Sequence, residues 1–236
     1  MSGPIGMERA LALLDGADAA LAATLERMDD GDLQANSLCQ GWTRGHVLAH
    51  LARNADALGR LVGWAVTGQE VAGYASVEAR NRDIEDGARQ DLAALRQDTA
   101  RSAAAFRRRA EELQDQSCLA EVRTGNASPL MAGDQIPWAR LREVTYHHVD
   151  LDAGFGFADA EPEIVNRGLD EAAARVGTKP DCPALTLTCT HASRWHLAGG
   201  GQEVHGTPAA LLLWLARGLP SGISSDRAVP TLPSWG

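Results

Sequence analysis

The chain has seven histidines, and four of them fall on two stretches with helical spacing. In the run from Arg142 to Asp150, Glu143 and His147 stand four residues apart. On an α-helix that places both on one face, with Cβ atoms about 5–6 Å apart. A carboxylate and an imidazole so placed can grip one divalent metal ion, and helical bundles build metal sites from such ligands turned inward. An exposed Glu–His pair has the same spacing, so the pair alone does not decide. A second stretch carries His46 and His50, also four apart, around the apolar Val47-Leu48-Ala49. A histidine there is either a hydrogen-bonded core group or a ligand from a second helix. Two ligand-bearing helices would supply three protein ligands and leave an open position, as catalytic metal sites do. Nitrogen and carboxylate ligands suit zinc, and also iron, nickel or manganese.

These residues need elements to hold them. Residues 5–28 read as an amphipathic helix, with Leu11, Leu14, Ala17, Leu21 and Leu25 at three- and four-residue steps. Thr43 is placed to cap a second helix that runs to Thr67, where Gly68 is a stop signal. Residues 69–82 look irregular. A long charged helix is expected from Asp83 to Leu113, with Arg107-Arg108-Arg109 on a solvated face. Residues 114–135 read as loop, and Pro137 suits the first turn of a fourth helix ending near Asp152. Four helices joined this way suggest an antiparallel bundle.

After Gly154, Gly156 and Pro162 the pattern changes. A helix over 163–176 is followed by strand-like Leu185–Cys189 and Arg194–Leu197, a Gly199-Gly200-Gly201 turn, a strand over 202–205, and a helix from Thr207 or Pro208 to Arg217. The tail with Pro220, Pro230 and Pro233 reads as extended. The expected fold class is therefore α+β: a helical domain over 1–157, then a small α+β domain over 158–236.

Composition removes several functions. With 236 residues and 44% hydrophobic content, the chain has enough apolar material for a core. A net charge of −9 argues against nucleic acid, which asks for a basic face. Lys179 is the sole lysine, so nearly every cation is a planar arginine fork suited to carboxylates. Cys39, Cys118, Cys182 and Cys189 form no C-x-x-C pair and fit a reduced, cytoplasmic setting. Acidic residues interrupt the N-terminal helix, unlike a signal peptide, and no apolar run approaches the roughly 20 residues of a membrane span.

The segment Gly41-Trp-Thr-Arg-Gly-His-Val-Leu-Ala-His-Leu-Ala-Arg-Asn-Ala-Asp-Ala-Leu58 resembles the second-helix motif of the mycothiol-dependent maleylpyruvate isomerases, in the DinB-like metal-binding superfamily. Tyr74-Ala-Ser-Val-Glu-Ala-Arg-Asn81 with Ile84, and Arg142 to Leu151, are similar to the family's following motifs. Ala216-Arg-Gly218, Ser221-Gly-Ile223 and the Pro-rich end are similar more loosely. The resemblance implies a DinB-like four-helix bundle with a smaller C-terminal domain that contributes to the active-site cleft. It implies zinc, or another divalent metal, on His50, Glu143 and His147. His46 lies one turn earlier, and His148 is turned about 100° away from His147, so both read as supporting or core groups. The resemblance also implies that Arg80, and less specifically Arg217, bind the anionic substrate. Arg82 falls outside the matched segment. Trp42 and Asn54 read as structural, the first as packing at a helix start and the second as a buried hydrogen-bonding group.

The implied reaction is cis–trans isomerisation of maleylpyruvate to fumarylpyruvate with mycothiol as thiol cofactor, as in gentisate-type aromatic degradation. A carbon–carbon double bond turns only after a nucleophile has added to it. A thiol of pKa about 8.5 is mostly protonated at pH 7, and a metal lowers that pKa. Arginines would orient the two carboxylates, and none of the four cysteines is needed as nucleophile. Two alternatives stay open at this point. One is a metal-dependent transferase that moves a small thiol onto an electrophile and consumes it. The other is a metal-binding module without catalysis.

Overall fold

A computed structural model describes residues 5–125, 129–189 and 193–233. They fall into two compact units, Ile5–Gly154 and a second that begins at Phe155.

The first unit is helical. It contains α1 (Met7–Leu25), α2 (Arg44–Thr67), α3 (Val77–Ala88), α4 (Leu92–Ala110), the short α5 (Asp115–Leu119) and α6 (Ile136–Asp150), with a two-stranded ribbon of β1 (Glu121–Val122) and β2 (Met131–Ala132) between α5 and α6. α2 has the boundaries that its sequence signals predict. Thr43 caps it with its hydroxyl on the His46 amide, and Gly68 closes it at φ +72°, a backbone region that glycine enters without steric cost. Leu48, Leu51 and Leu61 on α2 are fully buried.

Two expectations need correction. Residues 69–82 are not wholly irregular, and 83–113 is not one helix. Ser76 accepts from the Ala79 amide and starts α3 (3.1 Å), while Asp91 accepts from the Ala94 amide and starts α4 (2.8 Å). Both are small oxygen-bearing N-caps: Ser76 starts a helix where none was expected, and Asp91 breaks the continuing helical pattern. Residues 114–135 likewise hold α5 and the ribbon and are not plain loop.

The extra helix changes the topology. The bundle proper is α1, α2, α4 and α6. α3 runs back along α2, with Gly45 beside Ala88 and His50 beside Arg80, so α4 starts again in the direction of α2. Arg53 accordingly meets Asp98, and Gly63 lies against Arg109. α1 runs alongside α6 in the same sense, with Thr24 bonded to His148 and Asp18 facing Arg140. α1 and α4 are antiparallel, as are α2 and α6. Two neighbouring pairs are thus parallel, which corrects the expectation of a uniformly antiparallel bundle.

The second unit holds α7 (Pro162–Gly177), β3 (Leu185–Cys189), β4 (Arg194–Leu197), β5 (Gln202–Gly206), α8 (Pro208–Arg217) and β6 (Ile223–Ser225). Its sheet has the order β4-β3-β5-β6, with β3 antiparallel to β4 and parallel to β5. The triple-glycine turn does not make a hairpin; it carries the chain across the end of β3. A Cβ on Gly201 would sit 2.3 Å from the Ala184 carbonyl oxygen, so only glycine passes there. The fold class is α+β. Among the described residues no helix is long and apolar enough to cross a membrane.

α3 docks on α2 through small residues. A Cβ on Gly87 would approach the Ala49 Cβ to 2.8 Å, whereas one on Gly59 of α2 meets nothing within 4 Å. Gly87→Leu should therefore destabilise by about 1–3 kcal/mol through overpacking. Gly59→Ala should be neutral or stabilise by up to about 1 kcal/mol through helix propensity. Urea unfolding of both variants checks the contrast.

Candidate metal centre

The register of α2 against α6 decides which histidine meets which carboxylate. At one end Arg44, in the first turn of α2, donates to the Leu151 and Asp152 carbonyls just beyond α6 (2.6 and 2.5 Å) and to Asp32 (2.9 Å). A cation on the last carbonyls of a helix is favoured both as a donor and by the helix dipole. Further along, the fully buried Arg140 of α6 donates to the Leu51 carbonyl (2.8 Å) and to Asn54 Oδ1 (2.9 Å) on α2.

Between these ties, His50 faces Glu143 and His147. His50 Nε2 lies 3.0 Å from Glu143 Oε2, and His147 Nε2 lies 3.6 Å from the same oxygen. One ligand atom from each of the three falls within 4.8 Å of the others. A tetrahedral zinc ion with bonds of about 2.0–2.1 Å sets its ligand atoms roughly 3.3 Å apart. The two nitrogen–oxygen distances bracket that value. Two imidazoles and one carboxylate therefore fit a divalent cation in spacing and in chemistry.

The other faces of these side chains are also held. His147 Nδ1 is 2.8 Å from Asp150 Oδ2, one turn further along α6, and Cys39 Sγ donates to the same carboxylate oxygen at 3.2 Å. Cys39, His147 and Asp150 form a second cluster with metal-ligand atoms, sharing His147 with the first. A carboxylate on the rear nitrogen of an imidazole fixes its tautomer and aims the front nitrogen. Arg80 Nη2 stands 3.3 Å from His50 Nδ1. Its guanidinium lies 5.8 Å from the Trp42 ring centroid and 5.7 Å from that of Tyr74, within cation–π range. Trp42 also packs against His50 and His147, at 5.3 and 6.4 Å between ring centroids.

Residues 14–152 match the family model of the mycothiol maleylpyruvate isomerase N-terminal domain. Two solved structures match over 97% of this chain and 97% of theirs, each at 30% identity. One is a mycothiol-dependent maleylpyruvate isomerase, with a TM-score of 0.89. The other is a mutant of that enzyme with one histidine replaced by alanine, with a TM-score of 0.91. The chain belongs to the mycothiol-dependent maleylpyruvate isomerase family. A search of curated proteins gives no match.

In this family member the structure brings together four of the residues singled out from the sequence: His50, Glu143, His147 and Arg80. Arg217 ends α8 in the other unit, with Nη1 on the Ala216 carbonyl (2.8 Å). His46 does not join the cluster. Its Nδ1 accepts from the Thr43 amide (3.2 Å) and its Nε2 faces Glu85 (3.3 Å). His148 is buried and bonded to Thr24 (2.8 Å) on the side of α6 that meets α1. Arg82 is exposed.

Trp42, read from the sequence as packing at a helix start, is a wall of the cluster. Asp150 and Tyr74 were not singled out at all. For Asp150 a signal existed, since it lies three residues after His147 and so shares its face. For Tyr74 none existed beyond its place in the Arg80 segment.

The two imidazoles are tuned apart. Burial pushes His50 down from 6.5 to about 4, against the opposing pull of its bond to Glu143. Burial also acts against the charged form of His147, yet the bonds to Asp150, Cys39 and Glu143 outweigh it and hold its pKa well above 6.5. Glu143 feels burial in the raising direction, and the bonds from His147 and His50 reverse it, so the carboxylate stays ionised far below its usual range. In chelator-treated protein, NMR titration should show His50 neutral down to about pH 4 and His147 protonated well past pH 6.5. Asp150→Asn should bring the His147 transition down. An unchanged His147 transition in that variant would refute the stated cause.

Proposed function

We propose that this protein is a metal-dependent cis–trans isomerase that converts maleylpyruvate to fumarylpyruvate with mycothiol as its thiol, and that His50, Glu143 and His147 hold the metal. One observation carries the reading. Ligand atoms from two helices converge within 4.8 Å in a chain that is 30% identical, over 97% of its length, to a mycothiol-dependent maleylpyruvate isomerase. A divalent cation on these three residues supplies the Lewis acidity that turns a small thiol into a thiolate able to add reversibly to the substrate's conjugated double bond.

The remaining work falls to the chain itself. With a metal on Nε2, His50 would carry its proton on Nδ1. Arg80 would then give up its contact with Nδ1, and its guanidinium would be free to take a substrate carboxylate in a two-pronged bond. Trp42 and Tyr74 keep that guanidinium in place as it turns. Asp150 accepts from His147 Nδ1–H and leaves Nε2 facing the metal. Arg217 is carried over as a second substrate-binding arginine on family resemblance alone. A cytoplasmic setting belongs to the same proposal and is supported by four cysteines that are all free thiols.

The deciding assay follows loss of maleylpyruvate absorbance by zinc-loaded protein, with and without mycothiol. Turnover should require the thiol and return all of it. His50→Ala should lose at least about a hundredfold in kcat/KM, because one ligand is gone. Arg80→Met should lose roughly 10–100-fold, the equivalent of one charge-assisted hydrogen bond. Thiol consumed stoichiometrically with product would replace the isomerase reading by a thiol-transferase one. Activity retained in His50→Ala would remove the metal from the mechanism.

Metal binding should also release about one proton near neutral pH, and that proton comes from His147. His50, already neutral above about pH 4, contributes none. Below the raised His147 pKa the metal competes with a proton, so affinity should fall about tenfold per pH unit as pH is lowered. Calorimetry in buffers of different ionisation enthalpy measures the proton count.

A further inference from the structure

We propose that Asn54 and Arg140 are positioning residues for Glu143: a buried guanidinium fixes an amide, and the amide aims the carboxylate at the metal. The proposal rests on the metal reading above and adds two residues to it.

His50 and Asn54 are four apart on α2, while Arg140, Glu143 and His147 are spaced by three and four on α6. Each set therefore shares a face, and the two faces meet. Arg140 Nη1 donates to Asn54 Oδ1 at 2.9 Å, and Asn54 Nδ2 donates to Glu143 Oε2 at 3.2 Å. A guanidinium carries donors only. The Asn54 atom that faces it must be the oxygen, so the atom turned to Glu143 must be the NH2. The amide cannot flip without setting donor against donor on one side and oxygen against carboxylate on the other.

Glutamate needs such an anchor. Its last torsion is broad, and a carboxylate free to swing would take Oε2 away from the two imidazoles. Oε2 has two lone pairs. The Asn54 N–H occupies one direction and leaves the other for the metal.

Arg140 is a costly residue for this place. It is 0% exposed, and its Nε and Nη2 find no hydrogen-bond partner among the described residues. Burying a guanidinium with donors unmet is unfavourable. Its burial is offset by the two Nη1 bonds to α2, one to the Leu51 carbonyl and one to Asn54 Oδ1. Its charge faces Asp18 on α1 and Glu143 on its own helix. What it achieves is the fixed orientation of Asn54, besides a tie to the Leu51 carbonyl.

The experiment titrates Co2+ into chelator-treated full-length protein and follows its visible absorption. Zinc affinity is measured by competition with a chromophoric chelator, and the melting temperature of each metal-free variant is recorded. Asn54→Ala removes the donor. Asn54→Asp keeps the shape and the Arg140 contact but sets a carboxylate oxygen against Glu143. Both should lower zinc affinity about 10–100-fold, as changes behind metal ligands do, and alter the Co2+ spectrum while the proteins stay folded. Arg140→Met should move both readouts in the same direction, and if that variant does not fold, the Asn54 pair decides. Unchanged zinc affinity and an unchanged Co2+ spectrum in folded Asn54→Ala would overturn the proposal while leaving the metal site standing. Wild-type protein that binds neither metal would overturn the metal reading itself.

Discussion

The antiparallel register of α2 on α6 is the constraint on which everything at the candidate centre depends. Arg44 on the carbonyls beyond α6 sets it at one end, and Arg140 on Leu51 and Asn54 sets it further along. Slide one helix past the other by a single turn, about 5.4 Å, and His50 no longer faces Glu143. The ties are arginines, in a chain with a single lysine. A guanidinium can reach two acceptors on a neighbouring element at once and hold their relative positions, where an ammonium is a point charge.

Within that register, three titratable groups share a small space and are driven to different states. Glu143 keeps its charge because two imidazoles face one of its oxygens. His147 is biased to the protonated form by the Asp150 carboxylate behind it, and His50, with Arg80 behind it, to the neutral form. For His50 the main cause is burial, with Arg80 a small addition; for His147 the Asp150 carboxylate leads the groups that outweigh burial.

Helix α3 is the part of the first unit that ordinary bundle reasoning omits. Its close contact with α2, through Gly87 against Ala49, brings Arg80 to the back of His50 and between Trp42 and Tyr74. It also reverses the chain, so α4 starts parallel to α2. A helix that looks like a connection is therefore responsible both for the topology and for the placement of Arg80 beside His50.

Much of this was legible in the residues. Thr43 and Gly68 bracket α2, the C-terminal elements follow their turn and strand signals, and the four-residue spacing of Glu143 and His147 marks one helical face. Local rules settle such features because caps, turns and helical periodicity involve neighbours in sequence. They do not say which faces meet. His46 and His50 are equally spaced candidates, and spacing alone could not prefer one; the fold turns His50 toward α6 and leaves His46 in the cap. Ser76 and Asp91 were available as caps, yet Ser76 stood in a stretch read as irregular and Asp91 inside a continuing helical pattern, and the reversal of the chain was hidden with them. Asp150 shares a helical face with His147 and could have been read from spacing, but the roles of Trp42, Asn54 and Arg140 exist only once α2, α3 and α6 are packed together. Each depends on groups roughly 30 to 110 positions away in sequence, and hydrogen-bond and ring contacts act over a few ångströms, a distance that only the tertiary structure supplies.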